Sequence, residues 1–197
     1  MTSRWLVGAG VLLPIVYFAS QLVAMAINPG FNIATQQPSE LGCCGANVPN
    51  VANAGFLATG ACSIVGGFGL FFGLRQIGGN LVLAMLASLG MLLFGLAMSM
   101  SGLFPLPDPL HYGFGLFPVG LLAPLFGALA LRDAPVMRML ILAGFAASAA
   151  LVALMLGLGG FVTESNLGYF FRGVALISFP AIALLCWTVT GRMSVNG

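Results

Sequence analysis

Six apolar runs, at about 5–27, 51–74, 80–103, 113–131, 138–160 and 170–190, take up most of the chain. Each is near the ~20 residues a helix needs to cross the hydrocarbon layer of a bilayer. Backbone polar groups in hydrocarbon must be bonded internally, so a spanning segment is either a helix or a strand of a closed barrel. Barrel strands are about ten residues long and alternate apolar with polar positions. These runs are longer and uniformly apolar, which leaves helices. The sequence therefore predicts an all-α, polytopic bundle of six transmembrane helices, with residues 1–197 as a single integral membrane domain. Charged residues are 5% of the chain, against about 25% in a soluble domain, and no stretch remains for a separate soluble domain.

The charges sort by gap. Arg4, Arg75, Arg132, Arg138 and Arg192 lie at the two ends or in the second and fourth gaps. Glu40, Asp108, His111, Glu164 and Arg172 lie in or beside the first, third and fifth gaps. Basic residues collect on the cytoplasmic side of membrane proteins. The expected topology is thus N-in and C-in, multi-pass in a bacterial cytoplasmic membrane, with the acidic residues and the histidine facing outward. No basic stripe exists, so nucleic acid is not an expected partner. Arg4 followed by an apolar run and Ala24-Met25-Ala26 has the outline of a cleavable secretory signal. The run is longer than the usual 7–15 residues of such signals and contains Pro14, which favours a retained first helix.

Breakers set the gaps. Asn28-Pro29-Gly30 ends the first helix. The loop that follows, to about Asn50, is the longest in the protein, and loops of this length tend to be functional or disordered. A short helical turn near Ser39 fits there, and a long helix does not. Three prolines at 105, 107 and 109 make a rigid turn that positions Asp108 and His111. Pro118 and Pro124 are expected to kink the fourth helix, and Pro180 the sixth. Gly69 and Gly73 form a G-x-x-x-G, read as close packing within the chain in preference to a dimer seam. Met91, Met98 and Met100 read as adaptable packing. Cys62 and Cys186 read as small apolar packers. For Cys43 and Cys44, two free thiols and one vicinal bridge both stay open.

The candidate chemistry is the group Glu40, Asn53, Asp108, His111, Glu164 and Arg172. Residue 53 lies one turn into the second helix, and residues 111 and 172 lie where the fourth and sixth begin. Ionisable groups at membrane depth usually face the bundle interior or a water-filled space. Three helix N-termini at one mouth, together with Arg172, would favour an anionic group. The bland alternative is that these residues are solvated or snorkel to headgroups. His111 beside Asp108 has the makings of a general base and its orienting partner. No ligand spacing supports a metal. One histidine excludes bis-histidine haem. There is no nucleophile elbow, Walker loop or dinucleotide fingerprint, so no cofactor is expected.

Ser39-Glu40-Leu41-Gly42, then Asn53-Ala54-Gly55-Phe56 with Gly60, then Phe104-Pro105 with His111, and finally Gly168 with Arg172, occur in an order and spacing that resembles the DUF998 family of small six-helix membrane proteins. The resemblance covers nearly the whole chain. It implies the topology and an outer-face polar cluster, and no established reaction.

Three functional expectations follow. The first is an outward-facing pocket for a lipid headgroup or small amphiphile, with Arg172 holding an anionic part and Glu40, Asn53, Asp108, His111 and Glu164 around it. The second is an outer-leaflet enzyme with His111 as base and Asp108 or Glu40 as its partner. The third is an accessory subunit packed against other membrane-protein subunits. A transporter is disfavoured, because no charge lies deep in any run.

Overall fold

Helix starts and stops fall where the side chains supply them. In the computed structural model, which describes residues 2–195, α1 spans Thr2–Ala26, α2 Pro49–Gln76 and α3 Leu81–Leu103. Pro49 stands at the start of α2, where its missing N–H costs nothing. The Asn80 side chain caps α3 by accepting from the N–H groups of Val82 and Leu83 at 2.9 and 3.2 Å. The remaining helices are α4 (Leu116–Gly120), α5 (Ala123–Ala130), α6 (Pro135–Met155) and α7 (Leu167–Val195). No strand occurs among the described residues. Six segments are long and apolar enough to cross a membrane, the fourth being Pro109–Ala130.

That fourth segment is broken more severely than a proline kink. It consists of a 3-10 stretch over Pro109–Gly115, then α4, then α5. Gly113, Phe114 and Gly115 all have positive φ, at 54°, 54° and 73°. A left-handed run of this kind stops an α-helix, and two of its three positions are glycine, which carries no Cβ penalty there. The fifth segment also differs from the sequence reading. It starts earlier, at Pro135, and ends at Met155, where Gly157 with φ 96° takes the left-handed position after the helix.

Small residues set the register between neighbouring helices. A Cβ on Gly66 of α2 would lie 2.8 Å from the Gly10 nitrogen of α1, and one on Gly60 would lie 2.7 Å from the Gly95 carbonyl of α3. Gly69 faces the α1 backbone at Val7, and Gly73 faces Val189 and Met193 of α7. The G-x-x-x-G is therefore used inside the chain. These pairings run antiparallel, early α1 residues opposite late α2 residues. Ser63 donates to the Met91 carbonyl and Ser88 to that of Gly67, each at 2.7 Å, so α2 and α3 are also hydrogen-bonded. On the other side α1 packs on α7, with the Tyr17 and Phe179 rings edge to face at 4.6 Å.

The helices close a ring in the order α1, α2, α3, the broken fourth segment, α6 and α7. The start of α1 and the end of α7 lie at one end of this ring, with Arg75, Arg132 and Arg138. The connections 27–48, 104–115 and 156–166 lie at the other, called here the loop end. Ring closure is uneven. At the arginine end α5 packs on α6 and α7, whereas at the loop end α4 and its 3-10 stretch pack chiefly on α3. A Cβ on Gly120 would sit 2.7 Å from Phe94 Cα, and one on Gly113 2.8 Å from Ala97 Cα. These near backbone-to-backbone contacts draw the loop-end half of the fourth segment onto α3 and away from α6.

Candidate functional site

The long first loop folds down over the loop end of the bundle. Its neck is tied by two asparagines. Asn28 Oδ1 accepts from the Asn47 N–H at 2.6 Å, and the Asn47 amide donates to the Ile27 carbonyl at 2.7 Å. Inside it, Pro38–Gly42 forms a single 3-10 turn. The Glu40 carboxylate accepts from the Gln37 N–H at 2.7 Å and the Gln36 amide at 3.2 Å, which closes that turn. Leu41 is fully buried in the core. Gly42 lies so close to Asn53 that a side chain there would collide with its amide, and Asn53 Nδ2 donates to the Gly42 carbonyl at 3.0 Å.

The start of α7 holds the other side of the loop. The Gly168 N–H donates to the Ala34 carbonyl at 2.7 Å, and a Cβ at 168 would meet the carbonyls of Gln36 and Ala34 at 2.6 and 2.8 Å. One turn later, Arg172 Nη1 donates to the carbonyls of Ile33, Gln36 and Gly168 at 2.9, 2.8 and 2.9 Å. Its guanidinium also lies 5.1 Å from the Phe31 ring centroid. Glu40, Asn53 and Arg172 thus meet at the loop end, and their polar atoms shape this loop.

Beneath the loop is a cavity of about 420 Å³, within the ~300–1,000 Å³ range of small-molecule sites. Its wall is mostly apolar, with Tyr17, Phe56, Met98, Phe117, Met155 and Phe179 contributing one residue from each of six helices. Gln37, Pro38 and Ser39 of the first loop roof it, and Ser101, His111 and Tyr112 stand at its upper edge. His111 is buried, and its Nδ1 lies 2.9 Å from the Phe104 carbonyl. A carbonyl only accepts, so Nδ1 carries the proton, and in the neutral ring Nε2 keeps the lone pair. The Ser101 hydroxyl bonds the carbonyls of His111 and Ala97 at 2.8 and 3.1 Å.

The anchored His111 ring nitrogen bonds Phe104, and Asp108 has a backbone partner of its own. Its Oδ1 accepts from the Leu110 N–H at 2.8 Å and so caps the 3-10 stretch. Glu164 is exposed on the 156–166 connection and lines neither cavity. No cluster of three or more His, Cys, Asp or Glu side chains suited to a metal forms among the described residues. A second, polar hollow of about 390 Å³ lies on the other face of the first loop, with Asn28, Gln36, Glu40, Cys44 and Asn47 on its wall. Cys43 and Cys44 are bridged to each other, and Cys62 and Cys186 are free. Of the six sequence candidates, only His111 lines the larger cavity. Its apolar wall escaped sequence reading because it is assembled one residue per helix, which leaves no local motif.

At the arginine end, Asp133 pairs with Arg192, with Nη1 3.8 Å from Oδ2 and Nη2 on the Asp133 carbonyl. Asp133 is an acidic residue outside the regular sorting of charges by gap.

A family model described as a protein of unknown function, DUF998, matches residues 11–188. No curated protein and no solved structure matches the chain.

Proposed function

The chain belongs to the DUF998 family, whose function is unknown, and from its own geometry we propose that it binds a membrane amphiphile in the cavity beneath the first loop. In this reading the protein is a multi-pass protein of a bacterial cytoplasmic membrane with the loop end facing outward. The observation that carries the reading is the one-sided polarity of the cavity. Its depth is aromatic and aliphatic, and Gln37, Ser39, Ser101, His111 and Tyr112 gather at the loop-end rim. That is the distribution an amphiphile needs, an apolar body with a polar tip.

The roles of the polar residues divide accordingly. Gln37, Ser39 and His111 face the ligand's polar end. Arg172, Glu40 and Asn53 are positioning residues that hold the roof. The test fills the cavity: Ala175→Phe and Met155→Trp place a ring into its wall. Lipid co-purifying with the parent, measured by native mass spectrometry, is lost in variants whose thermal unfolding is unchanged. Equal bound lipid in both variants overturns the reading.

A second reading is favoured by the His111 ring alone. The Phe104 carbonyl fixes its tautomer and leaves Nε2 basic, the state a general base requires. It predicts that the bound lipid is converted over time by the parent and left intact by His111→Asn. Equal conversion by both proteins overturns it.

A further inference from the structure

The cavity is a cleft between two walls that do not close on each other. One wall is Gly115, Phe117 and Pro118; the other is Val152, Met155 and Leu156. The first wall is drawn onto α3 by the contacts at Gly113 and Gly120. The second is held to α7, where the Ser178 hydroxyl donates to that of Ser148 at 2.9 Å. Leu156 of the second wall and Phe114, next to Gly115 of the first, are strongly exposed and apolar, at 83% and 75%. In a helical bundle of this hydropathy such residues face lipid, so the gap opens sideways into the bilayer.

The wall also contains no Arg, Lys, Asp or Glu. Arg172, the loop-end arginine, is not on this wall: its Nη1 donates to carbonyls of the first loop and of Gly168, and its Nη2 is buried with no partner among the described residues, while the other five arginines lie toward the opposite end. An anion brought into this apolar space would lose its hydration with no cation to replace it. Hydroxyl, ester and amide groups find partners there in Gln37, Ser39, His111 and Tyr112.

Resting on the reading above, we propose that the ligand is an uncharged acyl lipid of the acylglycerol class, which slides an acyl chain laterally between α4 and α6 and leaves its hydroxyl and ester groups under the first loop. The volume suits one chain rather than two.

The experiment uses the full chain in phosphatidylcholine vesicles with two single-chain probes that share one diazirine-bearing acyl chain, a monoacylglycerol and its phosphate ester, a lysophosphatidic acid. Labelled peptides are mapped by mass spectrometry. The monoacylglycerol labels the segments bearing Phe117, Met155 and Phe179 about tenfold more than the lysophosphatidic acid does. Val152→Trp, which narrows the gap, abolishes that labelling, whereas Met139→Trp, on an exposed site near the arginine end, leaves it intact. Equal labelling by both probes overturns the uncharged head and spares the amphiphile reading. Labelling of these segments by neither probe overturns both. Labelling unchanged by Val152→Trp overturns access through the gap.

Discussion

Arg172 Nη1 donates to the Gln36 carbonyl across 2.8 Å, joining α7 to a loop 136 positions earlier in the chain. The same nitrogen reaches Ile33 and Gly168, so the most conspicuous cation at the loop end acts as a fastener for backbone. Asn53 does the same from α2 by holding Gly42, and Glu40 does it from within the loop. These candidate site residues build the roof of a cavity whose wall is mostly apolar, and two of their atoms, Asn53 Oδ1 and Arg172 Nη2, are buried with no partner among the described residues.

Arg172→Ala therefore loosens the first loop before it affects anything else. Hydrogen bonds to a charged donor contribute about 1.5–3 kcal/mol, and losing them lowers unfolding stability by about that amount. Residues 27–48 become the first site of proteolysis. Arg172→Lys recovers part of the loss, since an ammonium keeps the charge but has no planar face to lay on Phe31. Thermal unfolding in detergent and limited proteolysis check both outcomes. A parent-like proteolysis pattern in Arg172→Ala would remove the fastener role.

Gly60 and Gly95 allow α2 and α3 to touch through their backbones. Gly60→Ala pushes a methyl to within 2.7 Å of the Gly95 carbonyl, and such overpacking costs about 1–3 kcal/mol. Gly8→Ala, at a site with nothing within 4 Å, leaves stability unchanged or raises it slightly. Unfolding midpoints of the two variants, measured side by side, separate close packing from a general intolerance of alanine in these helices.

The spans were legible because a run of ~20 apolar residues has few other fates. The breaks were less so. Pro118 and Pro124 mark the fourth segment for a break, but the close approach of Gly113 to Ala97 of α3, at the head of the left-handed stretch, is a tertiary contact that the local sequence does not encode. The candidate site divides in the same way. That Glu40, Asn53 and Arg172 share one end follows from counting helices. That Arg172 Nη1 and Asn53 Nδ2 donate to backbone carbonyls, and Glu40 accepts from a backbone N–H, does not, because a backbone partner has no residue type to read. The cavity wall is a product of tertiary packing alone. Asp133 departs from the charge pattern without disturbing it: basic residues set orientation and acidic ones contribute little, so its pairing with Arg192 does not change the orientation expected from the arginines.

The link between α6 and α7 rests on few polar atoms. Ser178 donates to Ser148, while the Ser148 hydroxyl lies 2.8 Å from the Gly144 carbonyl within its own helix. Side-chain hydrogen bonds between helices in membranes average about 0.6 kcal/mol in double-mutant cycles. Ser148→Ala and Ser178→Ala, alone and together, should give a coupling of that size. A coupling indistinguishable from zero would mean that packing at Gly144 and Ala181 alone positions the second wall of the cleft.

Orientation has two independent readouts. Glu164→Cys places a thiol on an exposed loop-end connection, and Arg132→Cys places one at the opposite end. If the arginine end is cytoplasmic, an impermeant maleimide labels residue 164 in intact cells and residue 132 only after permeabilisation. Cys43 and Cys44 supply the second readout. A bridge between them persists in an oxidising space and is reduced by cytosolic glutathione. The parent in intact cells should therefore give no maleimide adduct at either position until a reductant is added from outside. Labelling of residue 132 in intact cells would place the loop end in the cytosol, and the bridged pair would then be found as thiols in freshly trapped cells. The two experiments must agree, because one membrane sidedness governs both.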